Sequence, residues 1–149
     1  MKRSLKLLWI IAATCALCAC AGSGSTSAQR TEKEFDGLRA SVTKQVTEPD
    51  RQTRALTAVD GLQEAARNFT ARVDDFQKEI ERLNADPTTS RDAFAAAFHQ
   101  FNGERDVLRR KVVNAHLALL GEVGAATWPE VSGSEQKALL AAMSTKAEK

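Results

Sequence analysis

From Phe35 to Met143 the apolar residues recur at intervals of three and four, the spacing of one helix face, and nowhere sustain the alternation of a half-buried strand. The first stripe is Phe35, Leu38, Val42 and Val46; it predicts a short helix over 32–46 opened by the capping box Thr31-Glu32-Lys33-Glu34. The second stripe runs through Leu56, Val59, Leu62, Ala66, Phe69, Val73, Phe76, Ile80 and Leu83 as far as Asp86-Pro87. It opens at Thr47-Glu48-Pro49-Asp50, where proline is tolerated in the first turn and Asp50 can complete a box. A third stripe begins after Thr88-Thr89-Ser90 and carries Phe94, Phe98, Phe101, Arg105, Leu108, Val112, Ala115 and Leu119, with Ser90 or Thr89 as its cap. Gly121 and Gly124 are expected to close that helix, and residues 125–133 to form a connection around Trp128-Pro129. Ser132-Gly133-Ser134-Glu135 then predicts a last helix over 134–146 that buries Leu139, Leu140 and Met143, with the end from Lys146 fraying.

From Leu62 onward the second stripe alternates steps of four and three, the 3.5-residue period of a seam facing a partner helix. Folding the second and third helices back at Pro87 pairs Ile80 with Phe94, Phe76 with Phe98, Val73 with Phe101 and Ala66 with Leu108. The stripes match layer by layer, so the fold class expected is all-α: an antiparallel hairpin of two long helices with two shorter ones, like a four-helix bundle. Arg105 is the one charged residue in the seam and falls opposite Phe69, where it can stack on the ring or snorkel toward Glu104 or Asp106. Beyond Val107 the third helix is apolar on more than one face, through Val113, Leu117 and Leu120, so that half should touch several helices and the end near Pro87 fewer. A 3.5-residue seam is satisfied by an internal hairpin or by a second copy, which leaves a homo-oligomer open.

Ahead of these stripes Lys2, Arg3 and Lys6 precede an apolar run from Leu7 to Ala19, the order of a secretory signal. At about 13 residues the run is short of the ~20 that a helix needs to cross a bilayer. It ends Leu17-Cys18-Ala19-Cys20, which resembles the bacterial lipobox: a Leu three places before and a small residue directly before the Cys that receives a diacylglycerol. The resemblance implies a signal over 1–19, a lipidated Cys20, and a chain held on a membrane by acyl groups, each buried CH₂ of which contributes about 0.8 kcal/mol. It also accounts for the cysteines, since cutting before Cys20 removes Cys15 and Cys18 and leaves the rest of the chain without a free thiol. Ala21 stands where similar lipoproteins retained in the inner membrane carry Asp, so the resemblance implies the outer membrane, facing the periplasm. Residues 20–30 then hold the lipidated Cys and a Gly/Ser-rich tether of flexible composition, and 31–149 the helical domain.

Removing residues 1–19 takes away three positive charges and no negative ones, so the net charge of +2 becomes −1. With its charges interspersed and no aromatics interleaved among basic residues, the remaining chain has no footprint for nucleic acid. His99 and His116 stand in no metal spacing, and although Asp92, His99 and Asp106 share a face they span about 20 Å of helical rise, too far for one ion. No serine sits in a nucleophile elbow, and the acids at Asp74-Asp75, Glu79 and Glu81 alternate with Arg72, Lys78 and Arg82 as on a solvated face. No catalytic residue, metal ligand or cofactor is therefore expected, and an enzyme is not. The candidate contacts for a protein partner or an apolar ligand are Phe98 and Phe101 in the phenylalanine cluster, Arg105 in the seam, and Trp128, a lid or an exposed contact in its loop.

The stretch from Ser90 through Arg105, Arg109 and Arg110, followed by Val131-Ser132-Gly133-Ser134-Glu135-Gln136 and a short helix, resembles the C-terminal part of the Spy/CpxP-like periplasmic proteins. Their LTxxQ motif is matched with Val131-Ser132 for Leu-Thr and Glu135 in the Gln position. That likeness implies a small helical chaperone or a sensor of stress or heavy metals. Together the anchor, the tether and the helical stripes point to a non-enzymatic, membrane-anchored periplasmic lipoprotein that binds another protein in an envelope stress, chaperone or assembly role. A module that senses metal or holds a lipid is the alternative.

Overall fold

Thr26 and Gln29 cap a helix reciprocally: the Thr26 amide donates to Gln29 Oε1 at 2.8 Å and the Gln29 amide to Thr26 Oγ1 at 3.2 Å. That box starts α1 (Ser27–Gln45). The structure, a computed structural model, describes residues 26–144, so the expected signal, Cys20, the expected tether up to Ser25 and the end expected to fray from Lys146 lie outside the described residues. Three further helices follow: α2 (Pro49–Ala85), α3 (Arg91–Val123) and α4 (Trp128–Met143). The fold is all-α, two long helices forming an antiparallel hairpin and two short ones packing on it, as the stripes predict.

The hairpin is in the expected register. Arg54 Nε lies 3.0 Å from both carboxylate oxygens of Glu122, Phe76 packs on Phe98 and Phe101, and Arg72 pairs with Glu104. The short helices cover only half of it. Ser41 Oγ donates to the Glu130 carbonyl at one end of α4, and Thr70 Oγ1 donates to the Ala142 carbonyl at the other. On α1, Glu32 accepts from Gln63 and pairs with Arg67. α1 and α4 are thus antiparallel to each other: α1 begins and α4 ends near Thr70, while α2 continues to Ala85. About 15 residues of α2, roughly 22 Å at 1.5 Å per residue, extend with the facing part of α3 as a two-helix arm.

The core sits in the four-helix half. Phe35, Leu38 and Val42 of α1, Val59 and Leu62 of α2, Leu119 of α3 and Val131 of α4 are fully buried there. In the arm Leu83 and Ala97 are the buried apolar residues. The end of the hairpin near Pro87 therefore has fewer neighbours, as expected, because no third helix reaches it.

Three boundaries differ from the sequence reading. Thr31 lies within α1 and is buried on the Phe35–Leu38–Val42 face, so the box at Thr31–Glu34 is not used, and the helix takes in Ser27 to Arg30 of the expected tether. Glu48 rather than Asp50 caps α2, its carboxylate accepting from the amides of Asp50 and Arg51. α3 runs through Gly121 and stops at Gly124, whose φ of 83° suits glycine and turns the chain out of the helix.

The largest departure is α4, which starts at Trp128 because Pro129 falls in its first turn, where a missing amide hydrogen costs nothing. Ser132, expected as a cap, donates to the Pro129 carbonyl from inside the helix. The buried face is Val131, Glu135, Ala138 and Ala142, which leaves Leu140 at 56% and Met143 at 52% exposed; Leu139 alone of the three expected residues packs on the core. Two alanines on that face let α4 approach α1 and α2 closely, a gain that outweighs presenting the larger side chains inward.

The split between body and arm predicts unequal mutational costs. Phe35→Ala should lower stability by about 3–5 kcal/mol in urea unfolding, and Phe98→Ala by less than about 1 kcal/mol, because Phe98 is half exposed. Equal losses at the two sites would contradict it.

Candidate functional site

The arm owes its cohesion to a ladder of aromatic rings and one ion pair. Phe76 of α2 stacks on Phe101 with ring centroids 4.0 Å apart and planes 8° from parallel, and it meets Phe98 edge to face at 5.1 Å. The Arg72 guanidinium lies over Phe101, 5.5 Å from its centroid, and also bonds Glu104, which accepts from Gln100 at 2.9 Å. These hydrogen bonds, from Gln100 first and then from Arg72, hold the Glu104 carboxyl below the ordinary carboxylate range. Phe101 is covered by Phe76 and Arg72, whereas Phe98 remains 48% exposed on the flank of the arm.

Arg105 takes neither the stacking contact on Phe69 nor a bond to Glu104. It is exposed, with Nη2 3.8 Å from Asp106 Oδ1, the snorkelling arrangement toward Asp106. Among the described residues the arginine that meets an aromatic ring is Arg72, four residues before Phe76 on the opposite helix, because its side chain reaches across the seam to Phe101.

Trp128 stands at the other end of the molecule, about 30 residues' rise from the arm's tip. It is half-buried against the core as the first residue of α4 rather than in a loop, and its ring meets His116 of α3 edge to face at 5.4 Å. His116 Nδ1 lies 2.8 Å from Glu135 Oε1, and the Glu135 side chain is 7% exposed. This is hydrogen-bond distance between the ring nitrogen and the carboxyl oxygen. This trio clasps α3 to α4, which pack on each other least of the neighbouring helix pairs. His116 is therefore not a free surface histidine, and Glu135 is a core residue; its place four after Val131 and three before Ala138, on one helix face, was the available signal.

The four candidate contacts thus divide. Phe98 and Phe101 share one cluster in the arm, Arg105 lies beside it facing solvent, and Trp128 belongs to the separate clasp. Among the described residues no group of three or more His, Cys, Asp or Glu could hold a metal ion, and no helix is long and apolar enough to cross a membrane. The segment 131–136 that resembles an LTxxQ motif lies inside α4, with Val131 and Glu135 buried.

Two measurements follow from these contacts. His116→Ala leaves a buried carboxylate without its partner and should cost about 1–3 kcal/mol in thermal or urea unfolding, whereas Glu135→Gln, which keeps a hydrogen-bonding oxygen, should cost less. The reverse order would refute the clasp. For Glu104, a carboxyl lowered in the folded chain contributes stability that is complete above its unfolded value and disappears as pH falls through the folded one. Amide protection factors in the arm around Glu104 should therefore step down as pH drops below the ordinary carboxylate range in the wild type, and Glu104→Gln should show a smaller step, since Asp86 at the tip, lowered by its bonds from Thr88, still titrates. Comparison of the chain with protein-family models, with curated proteins and with solved structures finds no match, so the functional reading rests on its own residues.

Proposed function

We propose that this chain is a non-enzymatic, membrane-anchored periplasmic lipoprotein that binds another protein through the arm of its long hairpin, in an envelope stress, chaperone or assembly role. The observation that carries the binding half is the arm: a helix pair without cover from α1 or α4, presenting Phe98 half exposed beside a rigid stack of Phe76, Phe101 and Arg72. Such a surface offers a partner apolar area on a preorganised support, and little ordering entropy opposes its use. The anchor half rests on the lipobox resemblance at Leu17-Cys18-Ala19-Cys20 and the charged and apolar run before it. The outer membrane follows from Ala21 by the same resemblance. The Spy/CpxP-like similarity from Ser90 to Gln136 adds a stress or chaperone setting.

Support for a binding rather than a catalytic role comes from the placement of the charged groups. Arg39 with Asp60, Arg54 with Glu122 and Arg67 with Glu32 tie helix to helix on solvated faces, and the buried Glu135 is occupied by His116.

A photo-crosslinking residue at position 98, with one at Thr57 on the body as control, tests the arm in intact cells. A defined protein adduct at 98 that is missing at 57 is expected, and it should weaken when Phe101→Ala disturbs the stack. No adduct at 98, or the same adducts at both positions, would refute the arm as the contact. Mass spectrometry of the N-terminus tests the anchor: a diacylglyceryl-modified Cys20 is expected, and an unmodified or differently cut terminus would remove it.

A further inference from the structure

The C-terminal half of α3 carries more apolar surface than the bundle uses. Leu119 and Val123 enter the core, but Val113 is 45% and Leu117 54% exposed, on the flank that His116 turns toward α4. Across the α3/α4 seam the exposed Leu140 and Met143 stand out from α4. The His116–Glu135 contact fixes the register of these antiparallel helices, so Met143, eight residues past Glu135, is level with the turn of α3 eight residues before His116. Arg109 and Arg110 occupy that turn; both are exposed, and neither makes an ion pair among the described residues. Four apolar side chains and two unpaired guanidinium groups thus share one open face.

We infer that this face of α3 and α4 rests on the phosphate-bearing surface of an anionic phospholipid bilayer, the apolar side chains entering the headgroup boundary and Arg109 and Arg110 meeting the phosphates. Charge is the first argument: exposed apolar residues beside arginines form the combination by which a helix lies in a membrane interface, and guanidinium groups pair well with phosphate oxygens. The chain also enters the fold at the level of this face. α1 and α4 are antiparallel, and Thr26 begins α1 at the end of the body where α4 reaches Met143, so the segment leading back to Cys20 joins the molecule at the level of the patch. That placement bears on the membrane only under the lipid anchor proposed above. From Cys20 to Thr26 there are six peptide steps, at most roughly 21 Å. The arm extends about as far in the same direction, and its tip carries mixed charge at Arg82, Asp86, Arg91 and Asp92. With so short a connection, a body lying on its α3/α4 side satisfies the anchor, and the patch then faces the lipid.

The test separates the patch from the anchor by using the chain from Cys20 onward with Cys20→Ser, which keeps all four helices and the whole core. Flotation is measured with vesicles of phosphatidylethanolamine and phosphatidylglycerol, and with vesicles of phosphatidylcholine alone. Binding to the anionic vesicles, weakened by salt and absent on phosphatidylcholine, is the expected result. Arg109→Glu with Arg110→Glu should weaken it about tenfold or more, and Leu117→Ser with Leu140→Ser should also reduce it, while Lys33→Glu with Lys44→Glu on α1 leaves it within about twofold. Lys33, Lys44, Arg109, Arg110, Leu117 and Leu140 are all exposed, and unchanged circular dichroism and melting temperature confirm that each variant is folded. No flotation of the Cys20→Ser chain, or equal losses from the α1 and α3 pairs, would overturn the inference. The state of Cys20 in cells, read separately by mass spectrometry, decides the anchor reading.

Discussion

Cover is the constraint on which this structure depends. A helix of 37 residues folded against one of 33 exposes a stripe on each along the whole hairpin, and the remaining helices, of 19 and 16 residues, are long enough to shield only half. Everything else adjusts to that mismatch. Where four helices meet, the interior takes Phe35, Leu38, Leu62 and Leu119 out of water entirely. Where two meet, burial is incomplete and specific contacts take over: stacked rings, an arginine on a ring face, a carboxylate bonded twice. The first region derives its stability from area removed from water, the second from geometry.

The polar residues between α1 and α2 set how the short helices lie on the long ones. Arg39 bonds Asp36 on its own helix and Asp60 and Gln63 on α2, while Gln63, buried at the seam, donates to Glu32. Ion pairs of this kind add little net stability at a surface. A buried amide is different: sliding α1 by one turn would leave Gln63 without its partners, at a cost larger than any single pair supplies. The network therefore acts on register. The His116–Glu135 pair does the same for α4 against α3.

The hairpin was legible in the sequence because both its stripes are long and strict, so that a wrong register would misplace many residues at once. Phe76 against Phe98 could be read from spacing alone, whereas Phe101, which the spacing sets opposite Val73, stacks on Phe76. The short helices were harder. Thr26–Gln29 and Thr31–Glu34 both have the capping-box pattern five residues apart, and the choice between them is made by packing, which buries Thr31. In α4 the strongest apolar residues, Leu140 and Met143, point to solvent, and a helix face of alanines with one glutamate is chosen because it fits closely against α1. Of the candidate contacts, the phenylalanine pair was legible as a cluster, whereas the clasp of Trp128, His116 and Glu135 was not. It joins residues far apart in sequence on two helices, and each has a plainer reading when taken alone.

The chain enters its fold through α1, and α1 supplies Phe35, Leu38, Val42 and Val46 to the buried interior. Under the anchor proposed above, any pull between membrane and protein is transmitted at Thr26 into the best-packed helix and spread through the core. The arm, joined to that core by the continuous backbone of α2 and α3, lies outside this line of tension. A load on the tether therefore strains the region most able to resist it, and the aromatic surface at Phe98 keeps its shape while the molecule is held.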